Sequence, residues 1–314
     1  MPPSEDRAAL NGMEKRLFKL VPKGAAPAQW AEWLRAPLEH AVAKGDKILT
    51  LALLKAGADG GAGWEGCDGR ILLNGAAEGG NEEVVSTLLE AGGLTELDDA
   101  SGDKRMAALH WALAGGHTDV ARVLMLAGAD VGLLDTRDRS TLYYPVEGGH
   151  LQLADMVIIG GADLHAKDTD GCSHLHLGAA HDDDNFVCTL LHRGASVNVA
   201  NSKGQCPLHV AVEHRRITVA VALLKAGADP NVRYGQSNKL SPLQLARSNL
   251  AMTKTLLNHG ADVKSSDRLG YTALHWAADS GEVCVVGSFV EAGADVENQS
   301  SKMFYCSTDI HSMG

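Results

Sequence analysis

A tripeptide recurs along this chain at a nearly constant interval. Gly-Ala-Asp or a near copy occurs eight times, and successive glycines lie 35, 36, 33, 33, 33, 33 and 33 residues apart. The glycines that open these copies are Gly57, Gly92, Gly128, Gly161, Gly194, Gly227, Gly260 and Gly293. Such a period indicates a repeat architecture, in which each unit buries its apolar face only by stacking on its neighbours.

Each period also contains a leucine that predicts the start of a helix. In most copies this leucine lies 19 residues before the closing glycine, as in Ala108-Leu-His110 and Pro207-Leu-His209. A residue such as Thr272 precedes it and can accept a hydrogen bond from a free N–H of the first turn. Apolar pairs such as Leu223-Leu224 follow, and glycine ends each segment. The pattern predicts two short helices per period.

The period and its landmarks resemble the ankyrin repeat, whose motif combines a 33-residue period with a Thr-Pro-Leu-His-x-Ala helix start. The resemblance covers residues from about 36 to 297. It implies an all-α repeat solenoid, built from helix-turn-helix pairs with β-hairpin-like fingers. It also implies a concave face of fingers and first helices that binds another protein. Asn198 and Asn231 match finger asparagines that some members of the family present for hydroxylation.

The two ends of the chain depart from the period. We predict a disordered N-terminus over residues 1–12 and a helical N-terminal cap over 13–35, because terminal repeats need a modified outer face. Eight ankyrin-like repeats over 36–297 and a C-terminal tail or truncated repeat over 298–314 follow. Two alternatives remain for the tail. Either residues 303–305 fold back as a plug, or the chain is a fragment of a larger ankyrin-bearing receptor, channel or kinase.

Composition narrows the class of function. The formal net charge of −11 argues against a surface that as a whole seeks nucleic acid or anionic lipid. The chain has no run of 18 apolar residues and no secretory signal at its start. Its six cysteines are scattered without a CxxC pair, which favours reduced thiols. We therefore predict a monomeric cytoplasmic or nuclear protein that binds no nucleic acid and inserts into no membrane.

One cluster supports a rival to a non-catalytic scaffold. Cys172, His174, His176, His181 and the aspartates 182–184 are residue types that hold zinc, so a metal-binding or metal-dependent enzyme site in the fifth repeat is the alternative. However, His176 is the helix-start histidine of its repeat, and Cys172 and His174 need not converge. No Walker lysine motif, nucleophile elbow or HExxH motif occurs. We therefore predict no catalytic residue, no metal and no cofactor.

Charge on the predicted fingers changes sign along the chain. Fingers 59–70, 94–106, 130–139 and 163–172 hold 6 Lys or Arg and 13 Asp or Glu, whereas fingers 196–205, 229–240 and 262–271 hold 5 and 3. Arginine and tyrosine are enriched where proteins bind one another. We predict that an acidic or phosphorylated segment of another protein binds the C-terminal fingers. The candidate binding residues are Lys203, Arg233, Tyr234, Lys239, Arg268 and Tyr271, and Trp64 on a long N-terminal finger is the anchor of the competing, acidic half.

Three successive repeats break the common pattern. Pro145 and Gly178 take the first-helix position where most copies have alanine, and Asp182 and Arg215 stand where others have the turn glycine. In an ordinary helix interior, proline costs ~3 kcal/mol and glycine ~1 kcal/mol relative to alanine. The array is therefore expected to be least stable between about residues 140 and 216.

Overall fold

The computed structural model describes residues 27–55, 72–91, 97–100, 103–181, 184–235 and 239–298. Residues 1–12, most of the predicted cap, Trp64, Asp182 and the proposed plug at 303–305 lie outside these ranges. The chain divides into two compact units, Met1–Asp163 and Leu164–Gly314. We refer to them as the N-terminal and the C-terminal unit.

Sixteen helices lie in the described residues, and they form eight consecutive pairs. The N-terminal unit contains α1 (Pro27–Lys44) with α2 (Lys47–Lys55), α3 (Leu72–Glu78) with α4 (Glu82–Glu90), α5 (Ala108–Ala114) with α6 (Thr118–Leu126), and α7 (Tyr143–Glu147) with α8 (Leu151–Ile159). The C-terminal unit contains α9 (His174–Ala180) with α10 (Asp184–His192), α11 (Pro207–Glu213) with α12 (Ile217–Lys225), α13 (Pro242–Leu245) with α14 (Leu250–Asn258), and α15 (Ala273–Asp279) with α16 (Val283–Glu291). The prediction of an all-α repeat solenoid is confirmed. Helix α1 continues through residues 35 and 36, so the division between cap and first repeat stays a prediction.

Within each unit, first helices pack on neighbouring first helices and second helices on second helices. The packing surface is aliphatic: Leu109 and Leu124 in one unit, and Leu208 and Leu223 in the other, are at most 1% exposed. The alanine of the first helix, such as Ala211, is fully buried. A methyl side chain at this point lets adjacent helices approach closely, which is why a chain poor in aromatic residues can still close its core.

The fingers between pairs are held by one recurring side chain. Four isolated antiparallel bridges mark them, at Leu134–Ser140, Lys167–Ser173, Tyr234–Leu240 and Ser266–Thr272. In each finger an Asp or Asn accepts hydrogen bonds from the backbone N–H groups two and four residues later. Asp267, for example, accepts from Leu269 at 2.8 Å and from Tyr271 at 2.9 Å. Asp168 does the same, so the acidic sequence around it is a finger turn.

Pro145 does not interrupt a helix interior as expected. Helix α7 has only five residues and begins at Tyr143, so Pro145 is its third residue. The N–H groups of the first turn have no partner inside a helix, so a proline there removes no helical hydrogen bond. The expected penalty of a proline in a helix interior is therefore wrong for this position, and the shorter helix replaces it.

Gly178 is also not the simple defect that its helix position suggested. A Cβ atom at Gly178 would lie 2.9 Å from Cγ2 of Val187 and 3.3 Å from Cδ1 of Phe186, both on helix α10. Phe186 is 2% exposed and stands where the equivalent helices have smaller residues such as Val120 and Val219. The glycine thus makes room for the larger ring, and the two positions compensate one another.

Candidate partner-binding surface

Four of the predicted cations are exposed on three successive fingers of the C-terminal unit. These are Lys203, Arg233, Lys239 and Arg268. Arg233 also links two fingers, because its Nη2 donates a hydrogen bond to Oγ of Ser265 at 2.6 Å. The predicted set is therefore brought together on consecutive fingers of one unit, apart from Trp64, which lies outside the described residues.

The first predicted tyrosine is fixed by contacts within its own unit. The Tyr234 ring lies edge-on to the His209 ring, with centroids 4.7 Å apart, and its hydroxyl donates to Glu213. Glu213 also accepts a hydrogen bond from Nε2 of Gln205 at 2.9 Å. Burial, together with the bond to Glu213, raises the pKa of Tyr234 to about 12. The phenol therefore stays protonated, and its ring is held in place at the base of the finger.

The second tyrosine belongs to an aromatic group that sequence reasoning missed. Tyr271 packs against the rings of His275 and Trp276, at centroid distances of 5.5 Å and 5.6 Å. The guanidinium carbon of Arg247 lies 4.8 Å from the centre of the Trp276 ring, within the range of a cation–π contact. Trp276 is half-buried, so this group of rings meets the solvent beside the last finger.

A half-buried apolar row runs beside these fingers. It consists of the residue that follows the helix-start His or Gln in each first helix of the C-terminal unit, namely Leu177, Val210, Leu245 and Trp276. Trp111 holds the same position in the third repeat. A large apolar residue at one half-exposed position in every period is the sequence signal that would have revealed the row.

The helix-start histidines serve structure. In His209, Nδ1 accepts a hydrogen bond from the N–H of Cys206 at 3.1 Å, so Nε2 carries the proton and donates to the Val232 carbonyl at 2.9 Å. His110 and His176 bridge their helix start to the following finger in the same way. Burial lowers the pKa of both His110 and His209 to about 4, and it lowers the pKa of His176 as well.

Two other residue types make the same bridge where histidine is absent. In the seventh repeat, Oε1 of Gln244 accepts from the N–H of Ser241 at 2.8 Å, and its Nε2 donates to the Tyr271 carbonyl at 2.7 Å. In the second repeat, Nδ2 of Asn74 donates to the Met106 carbonyl at 3.2 Å. An amide can therefore replace the imidazole at this position without a change in the number of bonds to the next finger.

The candidate zinc ligands of the fifth repeat are not brought together. His176 is used by the bridge described above, and Nδ1 of His174 lies 3.5 Å from the Leu164 carbonyl. Sγ of Cys172 accepts a hydrogen bond from Nδ2 of Asn201 at 3.6 Å, and burial raises the pKa of this thiol. Over the described ranges, which omit residues 182 and 183, no three His, Cys, Asp or Glu side chains are arranged to hold a metal ion.

Asparagines link successive fingers in the C-terminal unit. Oδ1 of Asn198 accepts from the N–H of Asp229 at 3.0 Å, and its Nδ2 donates to the Gly227 carbonyl at 3.1 Å. Asn231 makes the equivalent bonds one period later, to Asp262 and Gly260. Both predicted hydroxylation sites are thus structural links, and their hydroxylation stays a prediction.

In the acidic N-terminal unit, one pair of finger charges neutralises itself. The Asp135 carboxylate is 1% exposed and is bound by Nη2 of Arg139 at 2.6 Å and by the Tyr144 hydroxyl at 2.7 Å. Burial alone would raise the pKa of Asp135, but the hydrogen bonds from Arg139 and Tyr144 lower it overall. Counting charged letters in a finger therefore overstates what this surface offers to a partner.

The fold and this surface define a helical repeat protein of the kind that binds other proteins. The family described as "Ankyrin repeats" matches three stretches of the chain, residues 38–135, 142–234 and 233–300. The chain belongs to the ankyrin repeat family. Over the described ranges, no helix is both long and apolar enough to cross a bilayer.

Among solved structures, the chain is similar to the ankyrin repeat domain of Bcl-3, which is described as a unique member of the IkappaB protein family. The identity is 25%, the TM-score is 0.59, and the match covers 65% of this chain and 93% of that one. In all, 584 solved chains match, so likeness of fold does not select one partner. No curated protein matches the chain.

Proposed function

We propose that this chain is a non-catalytic, monomeric interaction scaffold that binds an acidic or phosphorylated segment of another protein. The binding surface is the finger side of the C-terminal unit. The observation that supports it most directly is the run of exposed cations on three successive fingers, Lys203, Arg233, Lys239 and Arg268.

The apolar row beside the fingers gives the surface a second component. Leu177, Val210, Leu245 and Trp276 are half-buried, so a bound segment can cover them without any helix moving. Affinity would come from these side chains and from the Tyr271 ring, because desolvated apolar and aromatic contacts dominate interface energies. The cations at the rim would set the association rate and the salt dependence.

The surface also limits what can bind. Glu213 keeps its negative charge among the cations, although Tyr234 and Gln205 both donate to it. A segment with one phosphate or carboxylate between Arg233 and Arg268 avoids Glu213 better than a uniformly acidic segment does. We therefore expect selectivity for spaced negative charges.

The proposal also concerns the cellular compartment. Cys172, Cys188, Cys206 and Cys284, the cysteines in the described residues, are all free thiols. Free thiols suit a reducing compartment, so we propose that the protein acts in the cytoplasm or the nucleus.

Affinity capture from extracts of the native cell tests the proposal. Arg233→Glu with Arg268→Glu should lose the partners that the unchanged chain retains, and the loss should be largest at low salt. Lys225→Glu with Lys254→Glu is the matched control, because it reverses two exposed charges on the second helices α12 and α14 of the C-terminal unit.

The competing result is equally specific. Partners that survive the finger reversals but disappear with Trp64→Ala would place the binding surface in the N-terminal half. Equal losses in the finger variant and the control would point to a general charge effect instead.

A further inference from the structure

The last residue of each second helix separates two repeats from the others. Six of the eight are polar or charged, but the third and fourth repeats end their second helices with Leu126 and Ile159. These two side chains are 81% and 72% exposed, more than any other large apolar residue in the described ranges. The polar equivalents are Lys55, Glu90, His192, Lys225, Asn258 and Glu291.

The two exposed side chains belong to one continuous patch. Helices α6 and α8 pack against each other, and the Met125 side chain lies across Gly160. A Cβ atom at Gly160 would clash with Cε of Met125, whereas most other repeats have alanine at this point. We call Met125, Leu126, Ile159 and Gly160 the 126/159 patch. Single exposed apolar residues are ordinary, but a contiguous apolar patch on a surface marks an interaction site.

The size of the patch favours a short segment over a second copy of this chain. Covering a few aliphatic side chains removes only a few hundred Å² from water, whereas a standard interface buries roughly 800 Å² on each partner. A short amphipathic segment can be anchored by two apolar side chains at successive turns of a helix.

Charge favours a basic segment. The N-terminal unit, residues 1–163, contains 15 Lys or Arg and 24 Asp or Glu, so it carries −9 of the net −11. Asp130 and Asp163 each follow a patch residue by four positions and are exposed, as is Glu90 at the end of the neighbouring α4. The nearest exposed cation on α6, Arg122, is paired with Asp119 at 3.0 Å.

We propose that the 126/159 patch is a second docking surface, which binds a basic amphipathic helix of a partner protein. The surface lies on second helices of the N-terminal unit and uses none of the residues assigned to the finger surface. The chain would then hold a basic segment at one unit and an acidic segment at the other. This inference does not depend on the proposed finger surface.

Fluorescence anisotropy with a labelled 14-residue amphipathic helix of leucine and lysine tests it at physiological ionic strength. Leu126→Gln with Ile159→Gln should weaken binding by about tenfold or more, because both anchors lose their contacts. The matched control is Val283→Gln with Val290→Gln, which removes two exposed apolar residues, 55% and 44% exposed, from the second helix α16. The control should bind as the unchanged chain does.

Two further measurements distinguish the alternatives. A peptide of the same composition, reordered so that it has no apolar face, should bind at least tenfold more weakly to the unchanged chain if the patch is read. Equal binding of the two peptides, or equal loss in the patch variant and the control, would overturn the proposal. So would sedimentation that shows a dimer of the unchanged chain and a monomer of the patch variant, because the occupant would then be a second copy. Binding of an acidic peptide to the fingers should be unaffected by the patch variant.

Discussion

At the scale of single residues, the helix-start histidines show how much of this chain's polarity is structural. The Leu-His landmark predicts a helix start and a locally satisfied ring. It does not predict that Gln244 and Asn74 reach the following finger as His209 does. That equivalence depends on a carbonyl more than 20 residues away, so local sequence carries no sign of it.

The buried histidines should make the protein sensitive to acid. The pKa of His110 and His209 is about 4 in the folded chain and 6.5 when unfolded. Stability is therefore complete above pH 6.5 and falls as pH decreases towards 4, by ~1.4 kcal/mol per pH unit for each histidine, because only the unfolded chain gains protons. His110→Gln with His209→Gln should keep its stability at pH 7.5 and lose about 2 kcal/mol less per replaced residue on going to pH 5.

Urea unfolding at the two pH values measures this difference. His214→Gln is the control, since His214 is exposed. If the double variant loses as much stability as the unchanged chain, the histidines are not the acid-sensitive groups.

Gly178 and Phe186 should behave as a coupled pair. Gly178→Ala gains helix propensity but drives a methyl group into Val187 and Phe186, so we expect a net loss of about 1–3 kcal/mol. Phe186→Val alone leaves a cavity and should also destabilise. The double variant restores the alanine–valine pair of the sixth repeat, Ala211 with Val219, and should lose less than the sum of the two. Thermal unfolding of the four proteins measures the coupling, and additive losses would show that the two positions are independent.

At the scale of elements, the sequence predicts eight helix pairs, and the structure differs most at α7. The period places its start two residues earlier, in register with α5. The later start keeps Pro145 within the first turn, and Tyr144 then lies buried beside Asp135. Tyr144 and Asp135 are on different elements, so the pattern of one helix could not reveal this shift.

The turn between α11 and α12 stores strain that glycine would relieve. Arg215 has φ +59°, whereas the equivalent Gly116 and Gly281 have φ +72°. A left-handed conformation costs roughly 1 kcal/mol or more for a residue with a Cβ atom, and glycine returns part of this gain as entropy of the unfolded chain. Arg215→Gly should therefore raise the free energy of unfolding by about 0.5–1 kcal/mol.

Arg215→Ala separates this effect from loss of the side chain, whose Nη2 lies 3.4 Å from Oγ of Ser248. The alanine variant keeps the strain and should not be stabilised in a denaturant titration. Stabilisation of both variants would assign the effect to the guanidinium group.

At the scale of the whole molecule, we still expect the weakest segment between residues 140 and 216, although for different reasons. The short α7 and the strained Arg215 remain, whereas Gly178 no longer counts as a defect. Native-state hydrogen exchange should show amides of this segment opening before those of α5 and α15 on either side. Uniform protection across the array would contradict this expectation.

The finger surface shows what sequence alone can and cannot assign. The exposure of Lys203, Arg233 and Arg268 follows from their place in loops, and it was predictable. The bond from Tyr234 to Glu213, across 21 residues, was not, because it depends on how one finger meets the preceding helix. Contacts of this kind decide which side chains are available to a partner.

The asparagine links give the C-terminal unit a translational symmetry that reaches individual atoms. Asn198 and Asn231 bond to equivalent groups one period apart, as neighbouring cells do in a one-dimensional crystal. Removal of residues 229–261, one full period, would bring the N–H of Asp262 to the place of the N–H of Asp229, while Gly227 stays where it is. Asn198 would then find both of its partners again. An array joined in this way can lengthen or shorten by whole periods during evolution, whereas a loss of even one residue more or less would put every later link out of phase.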